Sequence, residues 1–141
     1  MNFQDKIGRD KALKMNPVVL AFIGDAVYSL FVREKVAVET DFKSGKLNEL
    51  TAKIVNARTQ ASLATEVLPF LSDEEVDVYK RARNAKKPSH SKSATISDYN
   101  KSTGFEAVVG YLYVIGNYER LNFILNFHNY DEVLREETPC S

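Results

Sequence analysis

The sequence predicts an all-α helical bundle, and three observations carry that expectation. Apolar residues between Val18 and Phe31 fall at 18, 19, 22, 23, 26, 27, 30 and 31, one broad face of a helix. Ser72-Asp-Glu-Glu75 has the capping-box pattern that opens a helix. The stretch from Tyr99 to Ile115 is apolar nearly all round, as in a helix surrounded by others. No convincing strand alternation, internal repeat or low-complexity tract stands beside these signals.

Taken in order, Pro17 suits the first turn of the helix that carries Val18 to Phe31. Gly45 marks a break before a second amphipathic run, Leu47 to Leu68. Its inner face takes Leu47, Leu50, Ile54, Ala57, Ala61 and Ala64, and Pro69 follows its end. The third helix runs from the capping box to about Arg83, acidic at its start and basic at its end, as the helix dipole favours. Residues 84–97 are small, polar and basic, the composition of an exposed functional loop. The central helix ends at Gly116-Asn117. A last helix spans about Tyr118 to Leu134, with Leu121, Ile124, Leu125 and Val133 facing inward. The expected unit is one domain, residues 1–141, with 135–141 a frayed tail.

Composition excludes several classes. The chain of 141 residues is long enough for a real core, and 44% hydrophobic with 27% charged residues is ordinary for a globular protein. Apolar runs never reach the length of a membrane span, and the N-terminus has no apolar leader, so a cytoplasmic location without membrane contact is expected. The single cysteine, Cys140, cannot form an internal disulfide framework and is too peripheral for a nucleophile. His90 and His128 are far apart, and no Cys/His spacing suggests zinc. No Walker-type loop is present, which argues against a nucleotide hydrolase.

Asp25 and Glu106 carry the chemistry. Asp25 lies in Leu-Ala-Phe-Ile-Gly-Asp-Ala-Val-Tyr (20–28) and Glu106 in Gly-Phe-Glu-Ala-Val-Val-Gly-Tyr (104–111). A carboxylate among apolar neighbours is costly unless cations or donors compensate it. One reading makes each acid a cap or a partner for a core cation. The other rests on their being two, each beside a glycine, Gly24 and Gly110, where a backbone or ligand can come close. That pairing suggests a Mg²⁺ or Mn²⁺ site between helices, able to activate water and to neutralise phosphate charge.

Net charge is zero, yet Lys80, Arg81, Arg83, Lys86, Lys87 and Lys92 form a segment without acids. A solvated helix end would look the same, but such a segment also suits a phosphate backbone. Ser89, Ser91, Ser93 and Thr95 could add hydroxyl donors. The tyrosines read as packing residues with polar tips. Tyr99 is the candidate exception, since it stands one turn before Thr103 and two before Glu106.

These motifs resemble the ribonuclease III family. Its first signature, roughly Leu-Glu-Phe-Leu-Gly-Asp-Ala, is matched by Leu20-Ala21-Phe22-Ile23-Gly24-Asp25-Ala26. Its second, roughly Asp-x-x-Glu-Ala-Leu-x-Gly-Ala-x-Tyr, is matched from Thr103 through Glu106 and Gly110 to Tyr113. The family's other two acids fall at Ala21 and Thr103. No residues remain for a double-stranded-RNA-binding domain. Arg83-Asn84-Ala85-Lys86 and Tyr99 to Tyr113 resemble the compact Mini-ribonuclease III subfamily, which has the same reduced acidic set.

The resemblance implies a ribonuclease III endonuclease-domain-like bundle, a homodimer, cutting double-stranded RNA with Mg²⁺ to leave 5′-phosphate and 3′-hydroxyl ends. Its substrate would be precursor of large-subunit (23S) ribosomal RNA. Asp25 and Glu106 would be the catalytic metal ligands, with Tyr99 and Thr103 as active-site neighbours. Arg83, Asn84, Lys86, Lys87 and Lys92 would bind RNA. A large-subunit ribosomal protein would assist, since a small domain grips naked duplex weakly. Two rivals remain: a non-catalytic ribosomal-RNA-binding protein, and a helical metalloenzyme acting on a small phosphate ester.

Overall fold

The computed structural model describes residues 1–87, 95–128, 130, 134 and 135. Helix α6, Ile96–Ile115, forms the middle of the bundle. Around it pack α1 (Arg9–Lys14), α2 (Pro17–Glu39), α4 (Ala57–Val67), α5 (Asp73–Asn84) and α7 (Tyr118–Leu125). Helix α3, Ser44–Ile54, lies against α2. There is no strand among the described residues.

The all-round apolar reading of α6 holds. Phe105, Val108, Val109, Tyr111 and Leu112 are all buried. Burial of each such side chain is worth roughly 1.5–3 kcal/mol. Several together are enough to hold a partly buried acid, Glu106, on the same helix. The helix begins three residues earlier than expected, because Thr95 caps it: its hydroxyl accepts the Asp98 N–H at 3.0 Å. Gly116 ends it in the left-handed region, φ 76°, where the lack of a Cβ removes the steric cost.

Helix α2 starts at Pro17 as predicted, with the Asn16 side chain accepting the Val18 N–H at 2.8 Å. It runs eight residues past Phe31, burying Val32 and Val36. The capping box is also present: the Ser72 hydroxyl accepts from Glu75 N at 3.2 Å, and the Glu75 carboxylate accepts from Ser72 N at 2.9 Å. Glu75 does more than cap. Burial raises its pKa, but the Arg120 guanidinium, at 2.6 and 3.0 Å, together with the hydrogen bonds of Ser72, outweighs burial and holds it below the ordinary range.

Three expectations need correction. The run Leu47 to Leu68 is two helices, not one. Asn56 divides it: its amide donates to Lys53 O at 2.8 Å while its carbonyl oxygen accepts from Thr59 N at 2.9 Å. The apolar spacing continues across that joint, so periodicity alone hides it. Gly45 is not a break; it lies in the first turn of α3. The last helix is not continuous to Leu134: α7 ends at Leu125, the chain turns at 126–128, and Tyr130, Leu134 and Arg135 are helical again. There the Tyr130 hydroxyl donates to the Leu125 carbonyl at 2.6 Å, an acceptor that a continuing helix would use itself. Val133 and the 136–141 part of the expected tail lie outside the described residues.

Candidate active site

Helices α2 and α6 cross at two glycines. A Cβ added to Gly24 would sit 1.7 Å from the Glu106 carbonyl oxygen and 2.8 Å from Gly110 N. A Cβ on Gly110 would sit 1.9 Å from the Leu20 carbonyl oxygen. Only glycine permits this approach at either position. The crossing is the reason Asp25, next to Gly24, and Glu106, one turn before Gly110, can meet.

Their carboxyl groups are within hydrogen-bonding reach. Asp25 is exposed, whereas Glu106 is partly covered and its carboxyl is set deep. Burial first, then the hydrogen bond and charge of Asp25, push Glu106 up to about 9. An acid kept neutral by burial and by an adjacent acid marks a place short of positive charge. The donor set therefore fits a hard divalent cation: two carboxyl groups, one of them open to solvent, the side from which such a cation takes further oxygen ligands. Among the described residues no group of three or more acids, histidines or cysteines converges. The protein's own contribution to such a site is this pair.

The neighbours named from sequence lie on α6. Thr103 is buried one turn before Glu106, and its hydroxyl donates to the Tyr99 carbonyl at 2.9 Å. Ser102 donates to the same carbonyl at 2.8 Å. Thr103 thus has its proton committed to backbone. Ala21, one turn before Asp25 on α2, is buried.

The basic segment divides. Asn84 and Lys86 are exposed at the C-terminal end of α5 and just beyond it. Arg83 is half-buried, with its guanidinium 5.5 Å from the Tyr79 ring centroid and its Nε donating to the Asn84 side chain. Lys87 turns back: its ammonium donates to the Arg83 and Ala85 carbonyls at 3.1 and 2.8 Å, satisfying the helix end. Burial lowers its pKa. Arg81 belongs to the scaffold, since its guanidinium donates to the Leu13 and Met15 carbonyls at 2.8 and 3.5 Å and so ties α1 to α5. Lys92 and His90 lie outside the described residues.

Tyr28 is the packing residue that the sequence reading made it: it is fully buried on α2, one turn after Gly24, with its ring edge-on to Phe105 at 5.4 Å.

Comparison with known proteins gives consistent findings. Residues 18–117 match the model of the Ribonuclease III domain. The chain is 42% identical over 117 residues to a Mini-ribonuclease 3 from Thermoanaerobacter, covering 83% of this chain and 82% of that protein. It is 37% identical over 121 residues to a Mini-ribonuclease 3 from Staphylococcus aureus, covering 84% and 90%. A crystal structure of a protein from Fusobacterium nucleatum superposes with a TM-score of 0.74 at 28% identity, covering 89% of this chain and 96% of that one.

Proposed function

The chain belongs to the ribonuclease III family and is an endoribonuclease, and on that premise we propose that it cuts double-stranded RNA, with precursor of large-subunit ribosomal RNA as its substrate. The observation that carries the proposal is the meeting of the Asp25 and Glu106 carboxyl groups at the Gly24–Gly110 crossing. These two residues would hold Mg²⁺, with Mn²⁺ able to replace it. When bound, the cation supplies an activated water at neutral pH and positive charge for the phosphodiester.

The chain's own residues supply the rest. Glu106 would release its proton to solvent where a cation is held, and Asp25, on the open side, would set where phosphate can approach. Lys86, Arg83 and Asn84 present donors to backbone phosphates, with Lys92 as a further contributor. A-form RNA offers shape and 2′-hydroxyls rather than readable base edges, so sequence selectivity is limited. Products carry 5′-phosphate and 3′-hydroxyl ends. The protein acts in the cytoplasm as a homodimer of single catalytic domains, with a large-subunit ribosomal protein presenting the RNA. An exposed apolar stripe on α2, comprising Val19, Phe22, Ala26 and Leu30, supports self-association.

The test is single-turnover duplex cleavage at saturating enzyme, with and without Mg²⁺, for the wild type, Asp25→Asn and Glu106→Gln. Each substitution keeps side-chain size and removes an anionic oxygen. Cleavage should fall by at least 100-fold while melting and duplex binding persist, because the basic residues supply most of the binding. Near-normal cleavage by either variant removes that residue from the site. Binding without any cleavage by the wild type would establish the RNA-binding alternative, which the neutral residues Ala21 and Thr103 keep open.

A further inference from the structure

Three phenylalanines cluster where the 3-10 turn Leu68–Phe70 meets the end of α7, two of them exposed and Phe127 half-buried against the core. The Phe70 and Phe127 ring centroids are 5.3 Å apart, Phe123 and Phe127 5.8 Å, and Phe70 and Phe123 6.5 Å. Phe70 remains 56% and Phe123 41% exposed. Clustered rings left this open are a mark of interaction surfaces, unlike single scattered apolar residues.

The cluster is held in place. Arg120 donates to the Phe70 carbonyl at 3.0 Å and to the Glu75 carboxylate, and its guanidinium lies 4.9 Å from the Phe123 ring centroid. One side chain therefore links the turn, the start of α5 and the start of α7. A surface that is already ordered loses little entropy on binding.

The surrounding charge selects the partner. Glu66 lies one turn before Phe70, Asp73, Glu74 and Glu75 open the adjoining α5, and Glu119 precedes Arg120. Among the described residues, Arg120 pairs with Glu75 and Arg9 with Glu74. Glu66, Asp73 and Glu119 are exposed. RNA phosphates and anionic lipid headgroups are repelled by such a rim, whereas a cation is attracted. Helix α5 separates its acidic start at Asp73 from Arg83 near its basic end by about 15 Å, ten helical rises.

We propose that the Phe70–Phe123–Phe127 cluster docks a cationic polypeptide segment from another protein, whose apolar side chain seats among the rings while its lysines or arginines face Glu66, Asp73 and Glu119. Aromatic faces add attraction for a cation beside the anchor. This surface is separate from the α2 stripe read above as the self-interface and from the RNA-binding reading of the α5 end.

The probe is a synthetic peptide alternating lysine with phenylalanine and leucine, titrated into isotope-labelled full-length protein and followed by amide chemical shifts. A glutamate-for-lysine version and a single-stranded oligonucleotide are titrated in parallel. The expected result is a saturable shift confined to residues around Phe70, Arg120 and Phe123, given by the cationic peptide alone. Both Phe70→Ala/Phe123→Ala and Asp73→Lys/Glu119→Lys should weaken it at least tenfold, leaving duplex cleavage and dimer mass unchanged. The charge-reversal pair is exposed and keeps the rings, so it tests the rim even where the alanine pair unfolds. Equal shifts with the acidic peptide, shifts elsewhere, or unchanged affinity in the charge-reversed variant would overturn the proposal. Preferential capture of the oligonucleotide, or loss of the dimer in the charge-reversed variant, would overturn it too, assigning the surface to RNA or to a second copy.

Discussion

The backbone carbonyl of Glu106 occupies the space that a side chain at Gly24 would need: a Cβ there would lie 1.7 Å from the oxygen. Gly24 is thus the condition for the carboxyl pair. The contact is with backbone, which cannot rotate away as a flexible side chain could. Gly24→Ala must push α2 and α6 apart along their whole shared face. Overpacking of this kind typically costs about 1–3 kcal/mol, and a backbone clash belongs at the upper end or beyond. We expect Gly24→Ala to lower denaturant stability by about 3 kcal/mol and to lose cleavage more steeply than stability. Gly110→Ala, 1.9 Å from the Leu20 carbonyl, should behave alike. Gly8→Ala, with nothing within 4 Å, is the control. Wild-type stability in Gly24→Ala would contradict the crossing geometry.

A pH dependence follows from the same pair. In the metal-free fold the Glu106 carboxyl is raised to about 9, against about 4.5 for a free glutamate. Between those values the unfolded chain has released the proton that the folded chain keeps. Stability therefore falls as pH rises from about 5 to about 9. Glu106→Gln removes that titration and should flatten the slope, leaving the variant more stable than metal-free wild type at pH 8. Added Mg²⁺ should raise wild-type melting temperature most at the alkaline end and leave Glu106→Gln nearly unmoved. Melting curves in a chelator and in Mg²⁺ across this range decide the matter, and parallel slopes for the two proteins would count against it.

The pair of acids in the candidate site was more legible than the joints of the fold. Asp25 and Glu106 stand out because an acid beside a glycine in an apolar helix is costly without a purpose, and that cost is visible in residue types alone. The capping box is equally local, a reciprocal bond between Ser72 and Glu75. The break at Asn56 is hidden because the apolar spacing runs through it. Arg81 is hidden for another reason: its acceptors are the carbonyls of Leu13 and Met15, and carbonyls leave no trace in residue identity. The short helix α1 buries only Ala12, too little for periodicity to register.

Lys86 and Lys87, adjacent and equivalent by composition, should separate by experiment. Lys86 is exposed, while Lys87 donates to two carbonyls at the end of α5. Lys86→Ala should weaken duplex binding similarly across sequences and reduce the salt slope by roughly one unit. Its melting temperature should not change. Lys87→Ala should lose on the order of 1 kcal/mol of stability, the worth of a hydrogen bond at a helix end, with a smaller change in salt slope. Binding titrations at several salt concentrations, alongside thermal melts, separate the two effects. Identical behaviour of both variants would show that Lys87 leaves its carbonyls to contact RNA.

The last prediction concerns the outer face of α2. Val19, Phe22, Ala26 and Leu30 follow helical spacing, yet all are exposed, Phe22 at 80%. Phe22 lies three residues before Asp25, so whatever covers it also bounds the candidate active site. A large aromatic ring left in water forgoes roughly 2–3 kcal/mol of burial, and a symmetric pair recovers that twice. In an isologous dimer the same stripe meets itself across the two-fold axis, so one substitution is felt twice. Phe22→Asp places two carboxylates in that apolar contact, while a lone chain would tolerate the change in solvent. Light scattering at micromolar concentration should give about twice the chain mass for wild type and the single-chain mass for Phe22→Asp. The variant should keep its helical signal and lose most cleavage. A wild-type protein that is monomeric and still cuts both strands would remove the dimer from the mechanism.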